Sequence, residues 1–255
     1  MKAKKFLKKL ISSAIAPVAL RVGYRKISLN KLEAKNQLLN YCFVSLKQMG
    51  FTPKHIVDVG ANKGTWTREA MHYFPDAYYT LIEPQKRLKV HFEDLLVSKK
   101  VSYYPVGAGS EKGSFKFTLH ERDDSCSFQY SEAAAAKLGY EQVDIPVETL
   151  DNLLSQNPAI PSPDLIKIDA EGLDLEVIKG AGSFLGKTEV FLVEVGVCNI
   201  YIKNDILTVL NYMDSIGYRM FDVTDLNRPF RPKALWLMEL VFVKKGGLLD
   251  TYKIT

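Results

Sequence analysis

The sequence predicts an α/β fold: one mainly parallel sheet of about seven strands with helices on both faces, an inserted β-hairpin and an N-terminal helical extension. Three observations predict it. Short runs rich in Val and Ile alternate with amphipathic segments of helical period from His55 onward, and that alternation builds a parallel sheet covered on both sides. The first such run passes straight into a glycine-containing turn, Asp58-Val59-Gly60-Ala61-Asn62-Lys63-Gly64. The composition, 47% hydrophobic and 25% charged over 255 residues, supplies core for one large domain.

Leu29 to Met49 is amphipathic with helical period and stops at Gly50. His55–Val59 reads as the first strand, Thr67–Tyr73 as a helix, Ala77–Ile82 as a strand, Gln85–Val97 as a helix and Val101–Val106 as a strand. Residues 113–148 break this rhythm. Ser114–Leu119 and Gln142–Val147 alternate polar and apolar residues as hairpin strands do, and between them lie the polar loop Arg122–Ser127 and an alanine run. The rhythm resumes with strand Leu165–Asp169, helix Leu173–Phe184, strand Glu189–Val195 and helix Asp205–Ile216. It closes with strands Arg219–Val223 and Leu235–Val243. No internal repeat or linker interrupts the body, so the expected division is an arm, residues 1–27, and one domain, residues 28–255.

Charge is unevenly placed. Residues 1–31 hold nine Lys and Arg and no acid, which leaves 25 basic against 29 acidic residues in the rest of the chain. An acidic body argues against nucleic acid as a partner, because phosphate backbones are held by clustered basic side chains. Phe6, Leu7, Leu10, Ile11 and Ala14 recur at helical spacing among lysines. Residues 1–20 thus fit peripheral contact with an anionic membrane surface, while the plainer and preferred reading is a helix packed on its own domain or a frayed terminus. The apolar run is too short to span a bilayer, and Pro17 after the only Ala-x-Ala spoils a signal-peptide cleavage point. The expected location is cytoplasmic, with the arm able to touch the inner face of the membrane. Cys42, Cys126 and Cys198 are far apart and exclude a disulfide framework or zinc ribbon, and the four histidines form no ligand pair.

The turn after the first strand is a nucleoside-binding candidate. Gly60 and Gly64 allow a tight backbone that approaches a ligand closely. A Gly-x-Gly-x-x-Gly dinucleotide turn would carry another glycine, so a nicotinamide dehydrogenase is disfavoured. The next strand ends Leu81-Ile82-Glu83-Pro84, and an acid at that place accepts hydrogen bonds from ribose hydroxyls.

Ionisable groups gather at the carboxyl end of a central strand in Lys167-Ile168-Asp169-Ala170-Glu171-Gly172. Period two puts Lys167 and Asp169 on one face. A lysine in a strand buried on both faces needs a partner, and Glu194 on the next strand is the expected one. Lys167, Asp169 and Glu194 are the catalytic candidates, with Lys167–Glu194 reading equally well as a structural ion pair. Asp169 and Glu171 are also placed to cap the helix that follows.

These segments resemble the FkbM family of S-adenosylmethionine-dependent methyltransferases. The resemblance runs through Gly50-Phe51-Thr52-Pro53-Lys54, Ile56 to Thr67, Leu81–Pro84, Leu150-Asp151, Lys167 to Gly180 and Leu240–Lys244, and covers roughly residues 45–245. It implies a Rossmann-like class I methyltransferase sheet and O-methylation of a hydroxyl on a sugar, glycosylated or polyketide-like small molecule, or on a lipid-linked glycan. It implies that Asp58, Gly60, Ala61, Asn62 and Gly64 surround the methionine end of S-adenosylmethionine, that Glu83 and Pro84 hold the ribose, that Gly107 and Ala108 lie beside the adenine, and that Asp169 also contacts the cofactor. After the fifth strand Val195 to Lys203 departs from the family's pattern, so the acceptor pocket does not carry over. An rRNA methyltransferase would show an Asn/Asp-Pro-Pro-Tyr-like motif where Asp169-Ala170-Glu171-Gly172 stands. A protein that binds the cofactor without catalysis remains the alternative. Transfer to an alkyl oxygen needs a base; Asp169 is the first candidate, then Glu194, then His120. No metal is expected, although Asp169, Glu194 and Asn199 together would suit Mg²⁺. Tyr130 and the Arg122–Ser127 loop are placed to close over an acceptor.

Overall fold

The computed structural model describes residues 35–121, 126–198, 204–229 and 234–253. The chain divides into two units, residues 1–34 and 35–255, and the second is described here. The expected arm therefore lies outside the described residues. Helix α1 (Lys35–Gln48) of the second unit begins the described chain.

Seven strands form the main sheet in the order β3-β2-β1-β7-β8-β10-β9. They are β1 (His55–Val59), β2 (Tyr78–Ile82), β3 (Val101–Tyr104), β7 (Leu165–Ile168), β8 (Val190–Gly196), β9 (Tyr218–Asn227) and β10 (Leu237–Lys244). β3, β2, β1, β7 and β8 pair in parallel, and β10 runs antiparallel to both its neighbours. β1 and β7 are buried throughout, which is why their sequences are nearly continuous apolar runs rather than alternating ones.

Period two sends successive side chains to opposite faces and so creates two cores. Ile56, Leu81, Leu165, Leu192 and Val241 pack with Phe43 and Leu46 of α1 on one face. Val57, Ile82, Ile166, Phe191 and Phe242 pack on the other, with Val209 and Met213 of the late helix Ile206–Ser215. Asp58 and Lys167 interrupt the first face at directly opposed positions of β1 and β7.

The parallel strands bring their carboxyl ends to one edge, and the connections there build the site. Helix α2 (Thr65–Tyr73) follows the first turn. Residues 86–92 are 3-10 and only Glu93–Leu96 (α3) are α-helical, so the single helix expected over 85–97 is broken. The insertion is a separate three-stranded sheet. β5 (Gly113–Thr118) and β6 (Gln142–Glu148) form the expected antiparallel pair, and the short β4 (Gly107–Ala108) joins β6 in parallel. Helix α4 (Glu132–Leu138), which the alanine run forms, is capped by Ser131 Oγ accepting from the Ala134 amide and stopped by left-handed Gly139. Helices α5 (Leu150–Ser155), α6 (Asp174–Lys179) and α7 (Ile206–Ser215) complete the covering layers. α6 is shorter than the 173–184 expected, because the chain passes into a 3-10 turn over Gly182–Phe184.

Candidate active site

A cleft opens at the carboxyl edge, between the turns after β1, β2 and β7 and the inserted sheet. Gly60, Asn62, Glu83, Pro84, Gly107, Ala108 and Asp169 line it, together with Val106, Phe117, Cys126, Phe128, Ala170 and Glu171. Of the predicted binding residues, Asp58, Ala61 and Gly64 sit behind this surface rather than on it.

The turn after β1 is drawn against its neighbours by its backbone. The amides of Gly60 and Ala61 donate to the Ile82 carbonyl of β2 at 2.9 and 3.1 Å, and the Asp169 amide donates to the Val59 carbonyl. Gly60 has φ +73°, and a Cβ there would stand 1.8 Å from the Asp169 carbonyl oxygen. Only glycine fits this position, through conformation and through space.

Lys167 explains why the turn keeps its shape. Its ammonium donates to the carbonyls of Val59 (3.2 Å) and Gly60 (3.0 Å), and it pairs with Asp58 Oδ1 at 3.2 Å and Asp169 Oδ2 at 3.4 Å. Asp58 is fully buried and accepts on its other oxygen from the Thr67 hydroxyl of α2. Burial alone would lower the lysine's affinity for its proton, but Asp58, Asp169 and Glu239 outweigh it and hold the ammonium above its ordinary range. The expected Lys167–Glu194 bridge is therefore not formed. Lys167 turns toward β1, where two carbonyls and a wholly buried carboxylate offer more than the half-buried Glu194 does. Its four contacts make it a clamp on the turn rather than a group free to meet a substrate.

Glu83 is the best-defined polar group in the cleft. It is 3% exposed. Oε2 accepts from the Asn62 amide and Oε1 from the Gln85 amide, each at 2.9 Å. Burial raises its pKa, while those two amides and Lys167 pull the other way. The Gln85 side chain also donates to this carboxylate, and of the four lone-pair directions one is left for a ribose hydroxyl. Asn62 reaches this bond only by taking φ +46°. Phe117 and Phe128, with ring centroids 4.7 Å apart, form an apolar wall with Val106 and Ala108, suited to a planar base.

The turn after β7 is held by a residue that the sequence reading missed. Asp174, 3% exposed, accepts from the amides of Ala170 (2.8 Å) and Gly172 (3.4 Å) and from Asn204 Nδ2 (2.9 Å). The expected caps of α6 are thus corrected: Leu173 occupies the N-cap position without a side-chain bond, and Asp174, one place inside, gathers the loop amides instead of Asp169 or Glu171. Glu171 adopts φ +48°, and its carbonyl accepts from the Phe128 amide at 3.3 Å, which fastens the inserted segment to the cleft. An acid two residues past a glycine was the available signal for Asp174.

Asp169 lies on the cleft with its side chain 36% exposed. Glu194 is half-buried nearby, and burial followed by Asp169, Glu171 and Asp174 raises its pKa well above the ordinary carboxylic value. His120 does not reach the cleft lining: its ring packs on Tyr130 and Tyr140, and its amide donates to Cys126 Sγ. Among the described residues no group of three or more His, Cys, Asp and Glu is arranged to hold a metal ion. Asn199 and residues 122–125 lie outside the described residues. Also among the described residues, no helix is long and apolar enough to cross a membrane.

The sequence profile described as the methyltransferase FkbM domain matches residues 58–220. Over 142 residues the chain is 26% identical to a protein named Methyltransferase 1 from Beauveria bassiana (strain ARSEF 2860), covering 49% of this chain and 57% of that protein. Among solved structures, a methyltransferase FkbM from Methylobacillus flagellatus KT is similar with TM-score 0.49 and 20% identity, over 74% of this chain and 43% of that one. A precorrin-6y C5,15-methyltransferase from Geobacter metallireducens GS-15 is similar with TM-score 0.46 and 13% identity, over 87% and 91%. The chain thus spans little more than half the length of the curated relative it matches.

Proposed function

The chain belongs to the methyltransferase FkbM domain family, and from that premise we propose that it transfers a methyl group from S-adenosylmethionine to a hydroxyl oxygen of a sugar, glycosylated or polyketide-like small molecule. The observation that carries the cofactor reading is Glu83, a buried carboxylate fixed by two backbone amides at the lip of the cleft. The residues fit the group. Glu83 suits a ribose hydroxyl, the Phe117–Phe128 wall with Gly107 and Ala108 suits the adenine, and the Gly60–Asn62 backbone leaves room for the methionine end.

When bound, S-adenosylmethionine supplies an already activated methyl group. The protein's part is then to align the acceptor oxygen and remove its proton. Asp169 is the proposed base, because it alone of the three catalytic candidates lines the cleft and keeps its carboxylate partly open. Asp169 would take the acceptor's O–H proton, and the bound cofactor would supply the methyl group to the oxygen so exposed. Lys167 holds the β1 turn in place. The mass-spectrometric test incubates the full chain with the cofactor and a panel of glycosylated and lipid-linked hydroxyl compounds. A product 14 Da heavier, lost in Asp169→Asn, supports the reading. Cofactor binding with no product across aliphatic and sugar hydroxyls favours a binding protein without catalysis.

We further propose that the body acts in the cytoplasm and that residues 1–20 bring it to the inner membrane face. The lysine-rich helical spacing there supports this.

A further inference from the structure

Between Leu237 and Val243 of β10 every residue is apolar except Glu239. The register sets Glu239 directly opposite Glu194 on β8. Directly opposed residues on an antiparallel pair leave the same face with Cβ atoms about 5 Å apart. Glu239 is only 9% exposed. Like charges so placed cannot both ionise unless a cation stands between them. Among the described residues the cation that acts on both is Lys167, and its ammonium is engaged elsewhere. On β9 stand Thr224, whose hydroxyl donates to Glu239 Oε2, and the carboxylates Asp222 and Asp225. α1 contributes the buried thiol of Cys42. From β7 and its turn come Asp169, Glu171 and Asp174, and Lys167, whose ammonium already serves Asp58, Asp169 and two carbonyls.

We propose that Glu194 and Glu239 share one proton at neutral pH, carried on Glu194 with the charge on Glu239, and that this withdraws Glu194 from any base role and leaves Asp169 as the proton acceptor. The Thr224 hydroxyl favours the charged form of Glu239, whereas Glu194 has no hydrogen-bond donor among the described residues and faces three other carboxylates. The titration directions agree: burial lifts Glu239 to about 7 even with Thr224 and Lys167 opposing it, and Glu194 is raised further by burial and by its acidic neighbours. The assignment to Asp169 rests on the methyl-transfer reading above; the shared proton does not.

Infrared difference titration of the full chain, without cofactor or acceptor, tests the pair directly. A protonated carboxyl band that persists above pH 8 is expected in wild type and in Glu239→Gln, and in Glu194→Gln that persistence is expected to be lost, leaving only a band that titrates near pH 7 or below as Glu239 ionises. Thermal melting from pH 5 to 9 gives a second readout. Both groups bind protons more tightly folded than unfolded, so stability present at low pH is lost as pH rises through their folded pKa values. Glu194→Gln is expected to flatten that fall. Absence of the band in wild type, its persistence above pH 8 in Glu194→Gln, or an unchanged slope in Glu194→Gln overturns the shared proton. None of these outcomes bears on whether the protein methylates a hydroxyl, which the product assay decides separately.

Discussion

Replacing Lys167 with Met isolates what holds the first turn. The variant keeps the aliphatic stem and removes the charge, leaving Asp58 fully buried with its Oδ1 facing no cation. At 3.2 Å and an effective dielectric near 20 the attraction between the two is about 5 kcal/mol, before the cost of burying either charge. Asp169 matters less, because its side chain is 36% exposed and water serves it once the lysine is gone. Removing one partner of a buried pair costs about 3–5 kcal/mol. Against a total stability of about 5–15 kcal/mol, that is a large loss, read as a lower urea midpoint at unchanged slope. Adding Asp58→Asn should recover about 2 kcal/mol or more, since the orphaned charge disappears while Thr67 keeps an acceptor. A single variant within about 1 kcal/mol of wild type, or a double variant additive to within about 0.5 kcal/mol, refutes the clamp.

Further outcomes follow from the same geometry. Gly60→Ala places a methyl 1.8 Å from the Asp169 carbonyl at φ +73°, and is expected to lower the melting temperature and abolish nucleoside binding; a melting curve and titration matching wild type contradict that packing. Asp174→Ala strips three hydrogen bonds from one buried carboxylate, a loss of about 3 kcal/mol at about 1 kcal/mol each, measured by urea unfolding. Liposome co-sedimentation of the chain with and without residues 1–27 tests the membrane reading; equal pelleting with anionic vesicles sinks it.

The fold was legible because burial and period left plain marks. A strand buried on both faces, such as Ile56-Val57-Asp58-Val59, reads as apolar in any setting, and the alternation of Ser114–Leu119 marked the insertion as one-sided. The turn at Gly60 and the acid at Glu83 were legible for a different reason: backbone geometry restricts the residue types allowed there. Side-chain pairing was not. Lys167 had acids available on both neighbouring strands. Only the register, which sets Asp58 rather than Glu194 opposite it, and two carbonyls within reach of the ammonium decided the partner. Asp174 and Glu239 went unnoticed because their meaning is non-local. One collects amides from four residues earlier and a side chain thirty residues later, and the other matters through a strand that precedes it by 45 positions. The break at Glu93 within residues 85–97 carries no Gly or Pro to announce it.

The central claim is that the Glu83 cleft binds S-adenosylmethionine, and calorimetric titration tests it most directly. Wild type and Glu83→Ala are titrated with S-adenosylmethionine, its demethylated product and NAD. The account predicts micromolar binding of the first two by wild type, none of NAD, and affinity about tenfold weaker or worse in the variant, the loss of one charged hydrogen-bonding group. Well-folded wild type that binds neither methionine nucleoside, or a Glu83→Ala variant that binds them unchanged, contradicts it.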